Sequence, residues 1–264
     1  MSDTHFKIKI ADTVVEISSL YDCVHEFCLD YLTEDEPVFS VRIAKSDIDF
    51  EREYEEKGTG GKGRIPEDYP DSYLEVLACY RKIAEEMIMR DVLLMHASAV
   101  SIDGRGIIFI AESGTGKSTH ASIWQRCFGD RVVLINDDKP LIKISGGEIY
   151  VCGTPWSGKK GLNTPVNVPL SAAFKIERVE YAVDEDTDPL VCIGKNKVYS
   201  MDRDEIWKAL ASQSYKSGDP VKLAHSMGLL DMIMQKVPVK RLVCDMTDDA
   251  ASAAYEGAFG GSIS

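Results

Sequence analysis

The sequence lacks the features that mark several large classes of protein. No run approaches the ~18 apolar residues that a membrane span requires, and the N-terminal segment has no charged-then-apolar signal pattern. Lysine and arginine form no cluster and the net charge is −13, which argues against a nucleic-acid binder. These absences predict a cytoplasmic protein with neither a membrane nor a nucleic acid as its partner.

Paired cysteines are missing too. The seven cysteines are scattered and none belongs to a C-x-x-C pair, which is typical of free thiols in a reducing compartment. Cys23, His25 and Cys28 lie close together, but no second ligand pair follows at a suitable spacing. A partly buried amphipathic helix near residues 21–32 is therefore preferred to a metal site.

The composition is ordinary for a globular protein, and one segment suggests a division. The chain has 264 residues, 44% of them hydrophobic and 28% charged, which fits either one large domain or a core with a smaller appended region. Residues 57–71 carry four glycines and two prolines and are predicted to form a loop or an internal boundary. We predict an N-terminal α/β region over 1–91, available for an acceptor or a subunit contact, and the main domain over 92–264.

Hydrophobic periodicity predicts an α/β protein with a mixed sheet. Strands are predicted within 6–17, 38–44, 93–100, 106–111, 132–136, 141–144, 148–153, 171–179 and 240–245. Helices are predicted from residue 72 onward and at 116–128, 203–215, 220–236 and 247–259. The runs 93–100 and 106–111 flank an Asp-Gly turn and are typical of a hairpin.

A glycine-rich stretch, A-E-S-G-T-G-K-S-T at 111–119, stands between an apolar strand and a helix. Such a loop binds phosphates through inward-pointing amides and the positive end of the helix. The alternative is an ordinary glycine-rich turn. Lys117 is predicted to contact the β and γ phosphates of ATP, and Ser118 to bind Mg²⁺. The predicted nucleotide-binding residues are Ser113, Gly114, Thr115, Gly116, Lys117, Ser118 and Thr119, although packing in the first helical turn is favoured for Thr119.

An aspartate pair ends the strand that follows the loop helix. Asp137 and Asp138 come after Asn136, and we expect that strand to lie beside the loop strand, so that both ends meet at one edge of the sheet. Two carboxylates there could divide the work of phosphoryl transfer, one binding the metal and one accepting the proton of the acceptor. The alternative is an Asx turn that caps the strand.

Two histidines and one lysine remain open on spacing alone. His96 lies inside a predicted apolar strand, where a histidine is more often a core residue than a catalyst. For His120, one helical turn after Lys117, packing is the favoured role. The loop at 154–163 contains Lys159, which either stabilises charge on a transferring phosphoryl group or belongs to a solvated basic turn.

Together these residues resemble the kinase core of the HPr kinase/phosphorylase family, which is related to the ATP-dependent phosphoenolpyruvate carboxykinases. The resemblance covers roughly residues 93–180 and depends on His96, the loop at 111–119 and the aspartate pair. It implies a P-loop kinase core with a mixed, phosphoenolpyruvate-carboxykinase-like sheet.

The resemblance also implies roles for individual residues. Asp137 would be the base, with His96 beside it, Asp138 and Ser118 would hold Mg²⁺, and Lys159 would face the phosphates. Ala111 replaces the family's first loop glycine, and P-W-S-G-K-K-G replaces its acidic-arginine-glycine signature. HPr is therefore not the expected acceptor, nor is the reverse phosphorylase activity expected.

The sequence thus predicts an ATP- and Mg²⁺-dependent kinase whose acceptor is a hydroxyl, on a small molecule or a protein serine. The alternatives are a nucleotide-binding regulator without turnover and a carboxykinase-like enzyme, while the lack of an N-K-x-D stretch disfavours a GTP switch. The acceptor and the oligomeric state, including a homo-oligomer, stay open.

Overall fold

A computed structural model gives the fold of this protein. It describes residues 4–60, 69–112, 114–158, 161–179 and 196–261. The chain divides into two compact units, Met1–Arg90 and Asp91–Ser264, which are described separately below.

The first unit combines a small sheet with two long helices. Strands β1 and β2 form an antiparallel hairpin, and β3 pairs in parallel with β2. The hairpin turn places Ala11 and Asp12 at positive φ, which twists the chain so that the two strands can pair. The elements are β1 (Thr4–Ile10), β2 (Thr13–Ser19), α1 (Cys23–Phe27), β3 (Phe39–Arg42), α2 (Lys45–Gly60) and α3 (Asp71–Met87), with short 3-10 turns at Leu29–Tyr31 and Ile88–Arg90.

Helix α3 buries its apolar face together with one carboxylate. The side chain of Glu75 is fully buried and accepts hydrogen bonds from the backbone amides of Leu20 at 2.5 Å and Tyr21 at 2.9 Å. A buried carboxylate is costly unless it is hydrogen-bonded. Glu75 therefore ties the end of β2 to α3.

The second unit is built on one large sheet. Its strands are β4 (Val92–Leu94), β5 (Ser98–Ile102), β6 (Arg105–Ile110), β7 (Val132–Asn136), β8 (Leu141–Ser145), β9 (Glu148–Cys152), β10 (Asn167–Arg178), β11 (Lys197–Ser200) and β12 (Val239–Cys244). Its helices are α4 (Lys117–Phe128), α5 (Arg203–Gln213), α6 (Pro220–Lys236) and α7 (Asp248–Phe259).

The sheet is mixed, as the sequence predicts. Its order is β4-β8-β9-β10-β6-β5-β7, and β12 pairs with both β10 and β11. Strand β6 is parallel to β10, with Phe109 opposite Phe174, and antiparallel to β5. Because β5 is also antiparallel to β7, β6 and β7 run in the same direction with β5 between them.

An aromatic cluster fixes α4 on this sheet. Phe109 of β6 stacks on Phe174 of β10 at 6.1 Å and contacts Trp124 of α4 at 5.8 Å between ring centroids. All three side chains are fully buried. Tyr255 of α7 packs on the other side of Trp124, so α4 is held between the sheet and α7.

Several local predictions are confirmed. The Asp103-Gly104 turn joins β5 to β6 with both residues at positive φ, and α4 ends before Gly129 as expected. Helix α6 begins at Pro220 and ends at Lys236, as the prolines at its two ends predict.

Four expectations are wrong. Residues 57–60 belong to α2, not to a loop, while 61–68 lie outside the described residues. The run 93–100 is two strands, with His96 in the break between them. Strand β7 pairs with β5 and not with the loop strand β6. The helix near 21–32 is reduced to α1 and a 3-10 turn.

Two further expectations concern metals and membranes. Over the described ranges, no three His, Cys, Asp or Glu side chains come close enough together to hold a metal ion, including those around Cys23. In the same part of the chain, no helix is both long and apolar enough to cross a membrane.

Candidate active site

The glycine-rich loop leaves β6 and enters α4 through two left-handed residues. Gly114 has φ +82° and Gly116 has φ +116°, where a side chain would be strained. Gly116 is the N-cap of α4 and makes no side-chain cap, so the first amides of the helix stay available to a ligand. Ser113 lies outside the described residues.

Lys117 folds back over this loop. Its Nζ donates a hydrogen bond to the carbonyl oxygen of Ala111 at 2.9 Å, and only 7% of the residue is exposed. Burial lowers the pKa of Lys117, an effect that the nearby Asp138 carboxylate opposes. An ammonium group at this position can form the strong charge-assisted hydrogen bonds that phosphate oxygens accept.

Two serine hydroxyls connect the loop helix to the end of β7. Ser118 Oγ, in the first turn of α4, donates to the carbonyl oxygen of Asp137 at 3.0 Å. Ser98 Oγ, at the start of β5, donates to the same carbonyl at 2.8 Å. The loop and the aspartate pair therefore meet at one edge of the sheet, although β5 separates their strands.

Asn136 is fully buried and shapes the chain around the aspartates. Its Oδ1 accepts the backbone amides of Asp138 at 2.9 Å and Lys139 at 2.7 Å, which is an Asx turn. Its Nδ2 donates to the carbonyl oxygens of Thr154 at 3.0 Å and Trp156 at 3.2 Å. The two interpretations of this segment, an Asx turn and a functional site, are therefore compatible.

The carboxylate of Asp137 is almost inaccessible. The residue is 3% exposed, and its Oδ1 accepts the backbone amide of Gly158 at 2.5 Å. A Cβ at position 158 would stand 3.0 Å from Asp137 Oδ2 and 3.2 Å from Oδ1. A side chain at position 158 would therefore require the carboxylate or the loop to shift by a few tenths of an ångström.

The carboxylate of Asp138 is paired with two bases. His96 Nε2 lies 3.1 Å from Asp138 Oδ1, and Lys139 Nζ lies 2.7 Å from Oδ2. Burial by itself raises the pKa of Asp138, but the hydrogen bonds and charge of His96 and Lys139 outweigh it and hold that pKa well below its usual range. Asp138 is therefore ionised at neutral pH.

His96 reaches this position because it lies outside both strands. Its backbone amide donates to the Gln213 carbonyl at 2.8 Å, and the Ala97 amide donates to the Asp138 carbonyl at 3.0 Å. The structure thus brings His96 to Asp138, whereas the resemblance places it close to Asp137.

A cavity of about 420 Å³ adjoins the loop. Its apolar walls come from the side chains of Ile123, Ile176 and Val179, and Thr119 and Thr247 add hydroxyl groups. Thr119 is exposed on this cavity, which differs from the packing role favoured for it. The cavity offers room for an organic group beside the loop.

His120 has the packing role that its position predicts. It is 2% exposed, its ring meets Phe109 edge-on at 4.5 Å, and its Nε2 accepts the indole N–H of Trp124 at 3.2 Å. Although His120 also lines the cavity, its main contacts are with the aromatic cluster.

Sequence reasoning missed three residues of this region. Ser98, Gly158 and Arg178 act through contacts with residues distant in sequence, namely the Asp137 carbonyl, the Asp137 carboxylate and the loop carbonyls. The P-W-S-G-K stretch drew attention to its lysine, yet Lys159 lies outside the described residues, while its neighbour Gly158 contacts the aspartate.

Comparison with known proteins finds no sequence match and a weak structural similarity. No family model matches the sequence, and no curated protein matches it. Among solved structures, an HPr(Ser) kinase/phosphatase from Coxiella burnetii is similar at 16% identity and a TM-score of 0.25, over 37% of this chain and 73% of that one.

Proposed function

We propose that the second unit is an ATP- and Mg²⁺-dependent kinase with a P-loop, which transfers the γ-phosphoryl group to a hydroxyl acceptor. The observation that carries the proposal is the convergence of Ser118 and Ser98 on the Asp137 carbonyl. It brings the glycine-rich loop and two carboxylates to one edge of the sheet. Phosphoryl transfer requires this combination of phosphate binding and nearby carboxylates.

In the proposed complex, the loop amides and Lys117 bind the β and γ phosphates, and the cavity beside Ile123 receives the nucleoside. Lys117 would exchange the Ala111 carbonyl for phosphate oxygens, a stronger charge-assisted partner. The apolar walls of the cavity suit an aromatic base.

The residues proposed to hold Mg²⁺ fit that ion. Ser118 Oγ donates its proton to a carbonyl, which leaves its lone pairs for a cation, and Asp138 is ionised. Mg²⁺ prefers such oxygen ligands. When bound, Mg²⁺ neutralises charge on the β and γ phosphates.

The low pKa of Asp138 also supports the assignment of the base. A carboxylate whose pKa is held far below neutrality takes up a proton poorly. Asp137 is therefore the proposed base toward the acceptor hydroxyl, and His96 is proposed to keep Asp138 in place. Since Asp137 lies under Gly158, the acceptor reaches it only if the segment around 157–158 moves aside.

That burial also favours a second candidate function. With Asp137 3% exposed, the unit could bind ATP without transferring phosphate and act as a nucleotide-dependent regulator. The two functions share the loop and differ in whether the acceptor reaches Asp137.

The test has two stages. Titration calorimetry with ATP and Mg²⁺ on the full chain should show binding that Lys117→Met abolishes and the exposed control Lys208→Met leaves intact. Labelled ATP with a panel of metabolites and serine-containing proteins should then show transfer that Asp137→Asn abolishes and the exposed control Asp130→Asn does not. Lack of ATP binding would refute both functions, whereas binding without any transfer would support the regulator.

A further inference from the structure

Arg178 joins the end of one strand to the glycine-rich loop. It is the last residue of β10, which runs parallel to β6 and continues beyond the pairing of Lys175 with Ile110, the last residue of β6. Its Nε donates to the Thr115 carbonyl at 3.1 Å, and its Nη2 donates to the Gly114 carbonyl. The arginine fork thus holds two successive peptide groups of the loop.

Fixing these carbonyls also fixes the amides of the same peptides. Of these two, the Thr115 amide donates to the Glu112 carbonyl within the loop, and the Gly116 amide is the one that a phosphate would contact. In a trans peptide the N–H points away from the C=O of the same plane. The carbonyls of Gly114 and Thr115 belong to the peptides that carry the amides of Thr115 and Gly116. Arg178 therefore turns those two N–H groups away from itself.

In the part of the loop that the structure describes, the residues themselves give these two peptide groups little support. Gly114 and Gly116 have the largest conformational freedom of any residue type. Within the loop, the Thr115 amide makes one 3.2 Å hydrogen bond to the Glu112 carbonyl. A planar guanidinium with donors at fixed angles restricts this segment better than a single point donor would.

We propose that Arg178 is a positioning residue of the nucleotide site, which holds the glycine-rich loop in its phosphate-binding conformation. The proposal rests on the proposed binding of ATP by this loop, but not on the transfer step. Over the described residues, Arg178 is paired with no carboxylate, and it lines the cavity beside the loop. A purely structural arginine on this surface would contribute to folding stability and not to ATP affinity.

The experiment compares ATP affinity in Arg178→Ala, Arg178→Lys and the wild-type chain by titration calorimetry with Mg²⁺. We expect Arg178→Ala to weaken binding about tenfold, as for the loss of a charged hydrogen-bonding group. Arg178→Lys should recover part of that loss, because it keeps the charge and loses the fork. Arg203→Ala, which removes an exposed ion pair between Arg203 of α5 and Asp231 of α6, is the matched control and should bind as wild type does.

Chemical rescue separates positioning from folding. Methylguanidinium should restore ATP affinity to Arg178→Ala but not to Lys117→Met, and methylammonium, which supplies charge without the fork, should restore less. Equal affinity of Arg178→Ala and wild type would overturn the inference and leave the proposed function standing. If Arg178→Ala had a lowered thermal midpoint and methylguanidinium did not restore its ATP affinity, the inference would also be overturned, because the role of Arg178 would then be to stabilise the fold. If the wild-type chain bound no ATP, the proposed function and this inference would both be wrong.

Discussion

The buried histidine of α4 makes the stability of the second unit depend on pH. His120 Nε2 accepts a hydrogen bond from the Trp124 indole, which can only donate, so the proton of the neutral ring is on Nδ1. Nδ1 itself has no hydrogen-bond partner among the described residues. Protonation of Nε2 would break the bond to Trp124 and place a charge in the aromatic cluster. Burial accordingly lowers the pKa of His120 to about 4.

The direction of the effect follows from proton linkage. The unfolded chain takes up a proton at the ordinary histidine pKa of about 6.5, whereas the folded unit does so only near pH 4. Between these values the unfolded state binds more protons, so the free energy of unfolding falls as the pH falls. The contribution is fully present above pH 6.5 and lost at pH 4. It amounts to about 3 kcal/mol, since one pKa unit corresponds to about 1.4 kcal/mol.

His120→Gln isolates this contribution. Glutamine offers a carbonyl oxygen to the Trp124 N–H and does not titrate. Urea unfolding without nucleotide or Mg²⁺ would be followed by tryptophan fluorescence, because all three tryptophans, Trp124, Trp156 and Trp207, belong to the second unit. Other titrating groups contribute equally to both proteins and cancel in the difference.

We expect the wild-type free energy of unfolding to fall by about 3 kcal/mol relative to the variant between pH 7 and pH 4. A difference that stays constant over this range would refute the reasoning. It would mean that His120 either finds a partner for its proton or titrates as it does in the unfolded chain.

Three further substitutions test the buried polar contacts. Glu75→Gln should lower the stability of the first unit by about 2 kcal/mol because it removes a charged acceptor for two amides; this would be measured by circular dichroism during urea unfolding, and an unchanged midpoint would contradict it. Gly158→Ala should reduce kcat about tenfold and leave ATP affinity unchanged, since a Cβ 3.0 Å from Oδ2 of Asp137, the proposed base, forces the carboxylate or the loop to shift, and a tenfold loss corresponds to about 1.4 kcal/mol of transition-state stabilisation; equal kcat in variant and wild type would contradict a role of this contact in positioning the base. Asn136→Ala should lower the free energy of unfolding of the second unit by about 3 kcal/mol, because it leaves buried amides and carbonyls unpaired. Tryptophan fluorescence during unfolding would measure this change. A much smaller decrease would mean that water replaces the side-chain amide.

The elements around the loop could be predicted from the sequence because the residues that determine them are close neighbours in the chain. The glycines, the apolar strand and the stop at Gly129 lie within one short stretch, and the structure has β6, the turn and α4 where the sequence predicts them. The break at His96 could not be predicted this way. The run 93–100 is apolar apart from His96 and Ser98, but the His96 amide donates to the Gln213 carbonyl, more than a hundred residues later.

The order of the strands could not be predicted in this way either, because it depends on contacts between residues distant in the sequence. We expected β7 beside β6, and β5 lies between them. The two strand ends nevertheless face the same edge, because two successive antiparallel pairings restore the parallel direction. The loop and the aspartates therefore lie close together as expected, although their strands are not adjacent. Ser98 of the intervening strand β5 makes the second contact to Asp137.

Asn136 shows why a turn and a site need not be competing explanations. Its side chain forms the Asx turn that the sequence allows, and that turn fixes the backbone of Asp138 and Lys139. With the backbone fixed, the two neighbouring carboxylates have different partners: Asp137 contacts Gly158, and Asp138 contacts His96 and Lys139. These different surroundings leave Asp137 almost fully buried and hold the pKa of Asp138 well below its usual range. The division of labour proposed for Asp137 and Asp138 thus depends on the buried asparagine before them, whose own role is structural.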